Sequence, residues 1–260
     1  MLLESSPQHT ILCIHKPPVT NEWAAYTRYI GQLLGSRFDH RSVQAVTSAA
    51  EAEQLTGFTA DAPDMARAAE GGVGRPAVPD LVIFGEPQAP WWQRPFRSQA
   101  ARVVNRTRGP ILFARGARRP LRRILWLIRD HESDDAALNW VARLAVPSRA
   151  VVTLMPIVPA YPRLYQRGAT VQLPADVFHD HDHASLLAGY VRWLDGLGVE
   201  GSVSRRQGDP VAQIRNEVRA HVYDMIVIAA EPTSGWERWL MGEVVAPLLR
   251  WADRPVLVAR

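Results

Sequence analysis

The sequence predicts an α/β protein made of two tandem, doubly wound parallel-sheet units, the first shortened and degenerate. Internal similarity is the first reason. Asp80-Leu81-Val82-Ile83-Phe84-Gly85 resembles Asp224-Met225-Ile226-Val227-Ile228-Ala229, each an aspartate opening a short apolar run. Gly109-Pro110-Ile111-Leu112-Phe113-Ala114-Arg115 likewise resembles Arg254-Pro255-Val256-Leu257-Val258-Ala259-Arg260. The offsets, 224 − 80 = 144 and 255 − 110 = 145, preserve order and spacing, as a duplicated unit would. The second reason is that apolar runs alternate with segments of helical period, the signature of parallel βαβ units. The third is length: 260 residues with 47% hydrophobic content suffice for two cores of ordinary size.

In the second unit, residues 123–128 read as a first strand, and Ser133 can cap a helix whose Ala137, Leu138, Val141 and Leu144 recur at core spacing. Residues 150–158 form a second strand. After a polar, proline-containing stretch, Leu186, Leu187, Tyr190, Val191 and Leu194 mark a helix that Leu197-Gly198 would end. A third strand is expected at 203–207. Asp209 then caps a helix with Pro210 in its first position, and Ile214, Val218 and Val222 give that helix its buried face. A strand at 225–230, a helix at 242–251 and a strand at 256–259 complete a five-stranded parallel sheet with helices on both sides.

The first unit begins with a strand at 10–15 and a helix at 21–34, and ends with strands at 81–85 and 111–114. Its middle is shorter. From first-strand to fourth-strand start it has 80 − 11 = 69 residues against 224 − 124 = 100, so about one αβ element is missing, and residues 70–76 read as a glycine-rich loop. The junction at 115–120 is basic and contains glycine and proline, which divides the chain into units 1–119 and 120–260. The closing strands, 111–114 and 256–259, are short and apolar. They are expected to lie side by side about a pseudo-twofold axis, since open edges would invite association.

Composition excludes several classes. No apolar run reaches the length of a membrane span and the N-terminal residues lack a secretion signal, so a soluble cytoplasmic protein is expected. Cys13 is the only cysteine, which suits a reducing compartment and a small core position. The net charge of +4 is too mild to indicate nucleic acid, although the basic residues are almost all arginine and Lys16 is the only lysine. No nucleophile elbow, P-loop or spaced carboxylate pair is present, so no enzyme is predicted.

The second unit resembles the universal stress protein family at several ordered points. Ile124 to Ile128 followed by Asp130 looks like the family's opening strand; Gly208-Asp209-Pro210 and Ile214 before Asp224 resemble its third helix and fourth strand. Ser234-Gly235-Trp236 through Gly242 to Val258 resembles its closing loop, helix and strand. The resemblance covers nearly all of residues 121–260 and, more weakly, the two ends of residues 1–119. It implies an adenine nucleotide alpha hydrolase-like fold and a stress-response protein acting by protein or small-ligand binding.

ATP-binding members carry Gly, two residues, Gly, nine residues, then Gly followed by Ser or Thr, because glycines let backbone N–H groups approach phosphates. The matching positions here are Ala229, Pro232, Gly242 and Glu243, and in the first unit Gly85, Gln88, Ser98 and Gln99. Lys16 and Arg129 stand where binding members have an aspartate, and Asp130 is one residue late. The resemblance thus implies a degenerate nucleotide cleft formed by Arg129, Asp130, Gly208, Gly235 and Gly242, with ATP disfavoured and no cofactor expected. An adenine-nucleotide sensor (ATP or AMP) using an altered site is the alternative.

His179-Asp180-His181-Asp182-His183 has metal-ligand residue types, since His179 and His183 would share a helix face. Its polar composition reads instead as a loop entering the helix, without a metal. Of the nine tryptophans, Trp126, Trp140 and Trp193 fall at core or near-core positions, Trp236, Trp239 and Trp251 border the closing helix, and Trp91-Trp92 falls in a loop. That last pair is the expected exposed aromatic surface for a protein partner. No specific nucleic acid and no membrane are expected as partners. The two units would form an intramolecular pseudo-dimer, with a homodimer as a further option.

Overall fold

Apolar runs too short for helices become the strands of one mostly parallel sheet in the computed structural model. The structure describes residues 11–15, 21–35, 80–85, 109–116, 120–128, 134–157, 180–206, 209–230 and 244–260. The strands are β1 (Ile11–His15), β2 (Leu81–Gly85), β3 (Ile111–Phe113), β4 (Arg123–Ile128), β5 (Val151–Pro156), β6 (Gly201–Val203), β7 (Met225–Ala229) and β8 (Val256–Ala259). The helices are α1 (Asn21–Leu33), α2 (Asp134–Ser148), α3 (Asp180–Gly196), α4 (Pro210–Ala220) and α5 (Val245–Trp251). Eight strands join in the order β1-β2-β3-β8-β7-β4-β5-β6. Parallel strands covered on both faces must be apolar throughout rather than alternating, and β7, Met-Ile-Val-Ile-Ala, is buried at every residue.

The pleat sends alternate residues to opposite layers. Leu81, Ile83, Leu112, Ile124, Trp126, Leu154 and Val227 meet Tyr26 and Ile30 of α1, Ala137, Trp140 and Val141 of α2, and Leu187 and Leu194 of α3. On the other face Val82, Phe113, Leu125, Leu127, Ile226 and Val256 meet Ile214 and Val218 of α4 and Val245, Leu248 and Leu249 of α5.

Every pair of neighbouring strands is parallel except one. β3 and β8 run antiparallel, with Ile111 opposite Val258, Leu112 opposite Leu257 and Phe113 opposite Val256. The two closing strands therefore lie together, as their sequences lead one to expect. A local twofold axis passes between Leu112 and Leu257, normal to the sheet. Outward from it the order is β3, β2, β1 on one side and β8, β7, β4 on the other. The helices that follow β1 and β4 lie on one face, and α1 packs against α2 there. Arg115, buried just after β3, donates from Nη1 to the Leu249 carbonyl in the last turn of α5, where a cation suits the helix dipole.

Local chemistry sets the element ends. Asp209 accepts the Ala212 amide at 2.8 Å with Pro210 opening α4, as the sequence predicts. After α3, Gly198 takes φ +73°, and the amides of Gly198 and Val199 return to the carbonyls of Asp195 (2.8 Å) and Leu194 (2.9 Å). The aspartate repeated before β2 and β7 has a visible use in the second case. Asp224 Oδ2 accepts the amides of Arg122 (2.9 Å) and Arg123 (3.0 Å), locking the entry of β7 to that of β4.

Several expectations need correction. β6 is Gly201–Val203 rather than 203–207, its position set by pairing with Val152, Thr153 and Leu154. α4 stops at Ala220, so Val222 is 60% exposed and the buried last-turn residues are Glu217 and Val218. Trp193 is 40% exposed on the outer side of α3. That helix begins at Asp180, so the backbone of residues 180–183 is its first turn and not an entry loop. Ser133, the loop at 70–76, Trp91-Trp92, Trp236 and Trp239 lie outside the described residues.

Two backbone positions generate tests. Gly116 has φ +47°, and a Cβ there would run into the Asp253 carbonyl oxygen just before β8. Gly116→Ala is expected to cost about 2 kcal/mol or more in chemical denaturation. Arg149 ends α2 with φ +54° while Ala150 donates back to the Ala145 carbonyl at 3.2 Å, the conformation glycine adopts without strain. Arg149→Gly should gain about 0.5–1 kcal/mol by the same measurement.

Candidate functional site

From β4 the chain moves outward through α2, β5, α3 and β6 on one side, then returns through α4 to β7 and β8 on the other. The crossovers leave in opposite directions and cover opposite faces. The strand order therefore reverses direction between β4 and β7, and in open α/β sheets such a switch point is where a ligand crevice forms outside the carboxyl ends of the strands. Leu127 pairs with Ile228, so the ends at Ile128 and Ala229 are adjacent. The rims are extended by the Ile157 amide on the Ile128 carbonyl (2.7 Å) and by the Ala230 amide on the Ala259 carbonyl (2.8 Å). At the start of α4 the Asp209 carboxylate already takes one first-turn amide.

The residues assigned to the cleft attach directly to these ends. Arg129 and Asp130 follow Ile128, Gly208 precedes Asp209, and Gly235 and Gly242 fall between Ala230 and Val244. All five lie outside the described residues. Of the glycine-pattern positions in this unit only Ala229 is described, and it is buried at the end of β7.

In the N-terminal half the same place lies above β1 and β2. Gly85 closes β2, and the indole of Trp23, from the first turn of α1, lies against it. Cys13 in β1 is half-buried, and burial pushes its thiol up to about 11, which leaves it a poor nucleophile near neutral pH.

Glu217 is the group that sequence reading missed. It is 1% exposed, yet it lies on α4 among apolar neighbours. Arg206 donates Nε (2.8 Å) and Nη2 (2.6 Å) to its Oε2, and the Ser204 hydroxyl adds a third bond at 3.0 Å. Tyr223 donates to Oε1 at 2.7 Å, with His221 Nδ1 at 3.0 Å from the same oxygen. The spacing of Glu217 to His221, i to i+4, was the available signal. Burial alone would raise the Glu217 carboxyl, but the bonds from Tyr223, Arg206 and Ser204, with the Arg206 charge, outweigh it and hold the group below the ordinary value. Tyr223 is pushed up to about 12 by burial and by Glu217, so it remains a neutral donor. Glu217 lies eight residues into α4 from Asp209, about 12 Å along the axis, so it fastens the helix rather than lining the crevice.

The remaining candidates resolve into packing where they are described. Trp126 is fully buried against Tyr190 at 4.8 Å, Arg143 covers the ring of Trp140 at 4.3 Å, and Arg215 faces Trp251 at 5.4 Å. Among the described residues no group of three His, Cys, Asp or Glu side chains could hold a metal ion. No helix among them is long and apolar enough to cross a membrane.

The Glu217 cluster has a pH signature. A carboxyl depressed by folding stabilises the fold above its unfolded value, about 4.3, and that contribution is lost as pH falls through the folded value. Glu217→Ala is expected to cost about 2–3 kcal/mol at neutral pH, because it leaves Arg206 and Tyr223 without their acceptor. The gap to wild type, read by denaturant titration, should narrow below about pH 4.

Comparison with known proteins agrees with this architecture. The fold matches a universal stress protein from Archaeoglobus fulgidus DSM 4304 over 97% of both chains, with a TM-score of 0.55 at 11% identity. A functionally unknown protein from Pseudomonas aeruginosa PAO1 matches over 96% of this chain and 92% of its own, with a TM-score of 0.55 at 15% identity. A universal stress protein family member from Arabidopsis thaliana with AMP bound matches 53% of this chain and 90% of its own, at 17% identity and a TM-score of 0.37. No curated protein matches the chain. The family model of universal stress proteins matches residues 120–260, more than half of the sequence, and the chain therefore belongs to the universal stress protein family.

Proposed function

We propose that the chain is a non-catalytic universal stress protein that acts by binding a small ligand or a protein, with its ATP-binding loop degraded. The carrying observation is the switch in strand order between β4 and β7, followed in the sequence by Pro232 and Glu243 where ATP-binding members have glycine and a hydroxyl. Proline removes a backbone donor and fixes φ. A carboxylate just ahead of a helix competes for the field that a phosphate would use. Each effect is worth about 1 kcal/mol or more, so the combined loss in ATP affinity is roughly tenfold to a few hundredfold. Arg129 favours a different anion in the same crevice.

The two halves, 1–119 and 120–260, are proposed as tandem units forming a pseudo-dimer within one chain. The matching strand orders on either side of the β3–β8 pair support this. The lone thiol suits a reducing, cytoplasmic setting, and Trp91-Trp92 is the surface proposed for a protein partner.

Calorimetric titration of magnesium and ATP decides the nucleotide question. Weak or absent binding is expected for wild type, with binding gained by the variant Pro232→Gly/Glu243→Ser. Micromolar affinity in the unmodified protein would instead establish a nucleotide sensor.

A further inference from the structure

We infer that the N-terminal crevice is closed by the chain's own Trp23, so that ligand capacity falls to the β4/β7 crevice of the C-terminal half. The inference rests on the reading above that the switch-point crevice is the ligand site. The halves can be aligned by their geometry. Their first strands are offset by 124 − 11 = 113 residues, and so are their first helices, 134 − 21 = 113. β2 and β7 are offset by 225 − 81 = 144. Position 23 thus corresponds to 136, and position 85 to 229.

At these matched places the halves differ in bulk. Trp23 lies over Gly85 so closely that a Cβ on the glycine would meet the indole nitrogen, with Cε2 at 2.6 Å and Cδ1 at 2.8 Å. The indole nitrogen is shielded from solvent, and the ring packs on the core beneath α1. In the C-terminal half Ala136 and Ala229 stand at the matching positions, so the helix contributes a methyl where the other half contributes an indole. Both pairs lie on the sheet face shared by α1 and α2. A glycine at the end of β2 and a tryptophan in the first turn of α1 are complementary. Neither alone would fill the crevice without a clash or a void.

Removing the indole should leave a cavity of its own shape that accepts free indole. Trp23→Gly is expected to melt below wild type. Millimolar indole should raise its midpoint by roughly 2–4 °C at tenfold over the dissociation constant, and leave wild type unmoved. A folded Trp23→Gly protein without any indole response would overturn the proposal. Should that variant not fold, a double-mutant cycle decides: Gly85→Ala must destabilise wild type and cost markedly less beside Trp23→Leu. Equal costs in the two backgrounds would overturn it. A third arm uses magnesium and ATP on Pro232→Gly/Glu243→Ser. One nucleotide per chain is expected, lost when Ala136→Trp/Ala229→Gly transplants the plug, whereas two per chain would overturn the inference. No binding at all in that background would count against the loop reading proposed above, and the indole arm would still judge Trp23.

Discussion

The antiparallel pairing of β3 with β8 is the contact on which the rest of the architecture depends. Each strand closes its half of the chain, and each would otherwise expose a row of unpaired backbone groups at a sheet edge. Pairing them joins both edges at once and fixes the relation of the halves. With Leu112 opposite Leu257, the helices that follow the first strands of the two halves lie on one face, where α1 packs against α2. The pairing also sets Arg115 against the carbonyl end of α5, so that a cation from one half completes a helix of the other. Gly116 follows because the chain leaving β3 must pass the backbone entering β8, and that crossing has no room for a side chain.

The two halves of the sheet differ in what stands above their strands. In the C-terminal half, consecutive crossovers part between β4 and β7, and the matched places carry the small residues Ala136 and Ala229. In the N-terminal half, the helix that packs in the equivalent place brings a tryptophan to a glycine. One sheet geometry therefore carries an indole at one strand end and a methyl at the other, according to two side chains.

The charged cluster around Glu217 shows a different economy. Three donors of buried or half-buried side chains converge on one carboxylate: Arg206 with two bonds, Ser204 and Tyr223 with one each. An apolar residue of similar volume would pack there without any desolvation to offset. What the cluster supplies is register: it ties the last turn of α4 to the residues that follow β6, the outermost strand beside it. α4 begins at the crevice with Asp209, so fastening its far end also fixes the angle at which its capped start meets the strand ends.

The sequence by itself determined whatever depends on near neighbours along the chain. The alternation of apolar runs and helical periods located seven of the eight strands within a residue or two. Asp209-Pro210 and Gly198 marked helix ends because capping and left-handed backbone are local events. The similarity around Asp80 and Asp224, with Pro110 and Pro255, led to the expectation that the closing strands lie side by side, and β3 does pair with β8. Only the tertiary structure decided the place of β6, which has too few apolar residues to declare itself and takes its register from β5. The same holds for the exposure of Val222 and the burial of Glu217, where helical spacing puts both near one stripe and the end of α4 selects between them. Of the candidate site, the strand ends that would flank it, Ile128 and Ala229, were legible in the sequence, whereas the five residues nominated for it, Arg129, Asp130, Gly208, Gly235 and Gly242, stand beyond the described strand and helix ends. The meeting of Trp23 with Gly85 could not be read from either residue, because it joins positions 62 residues apart (85 − 23) through a helix packing over a strand. Such contacts are fixed by the shape of the whole sheet, which no local propensity encodes.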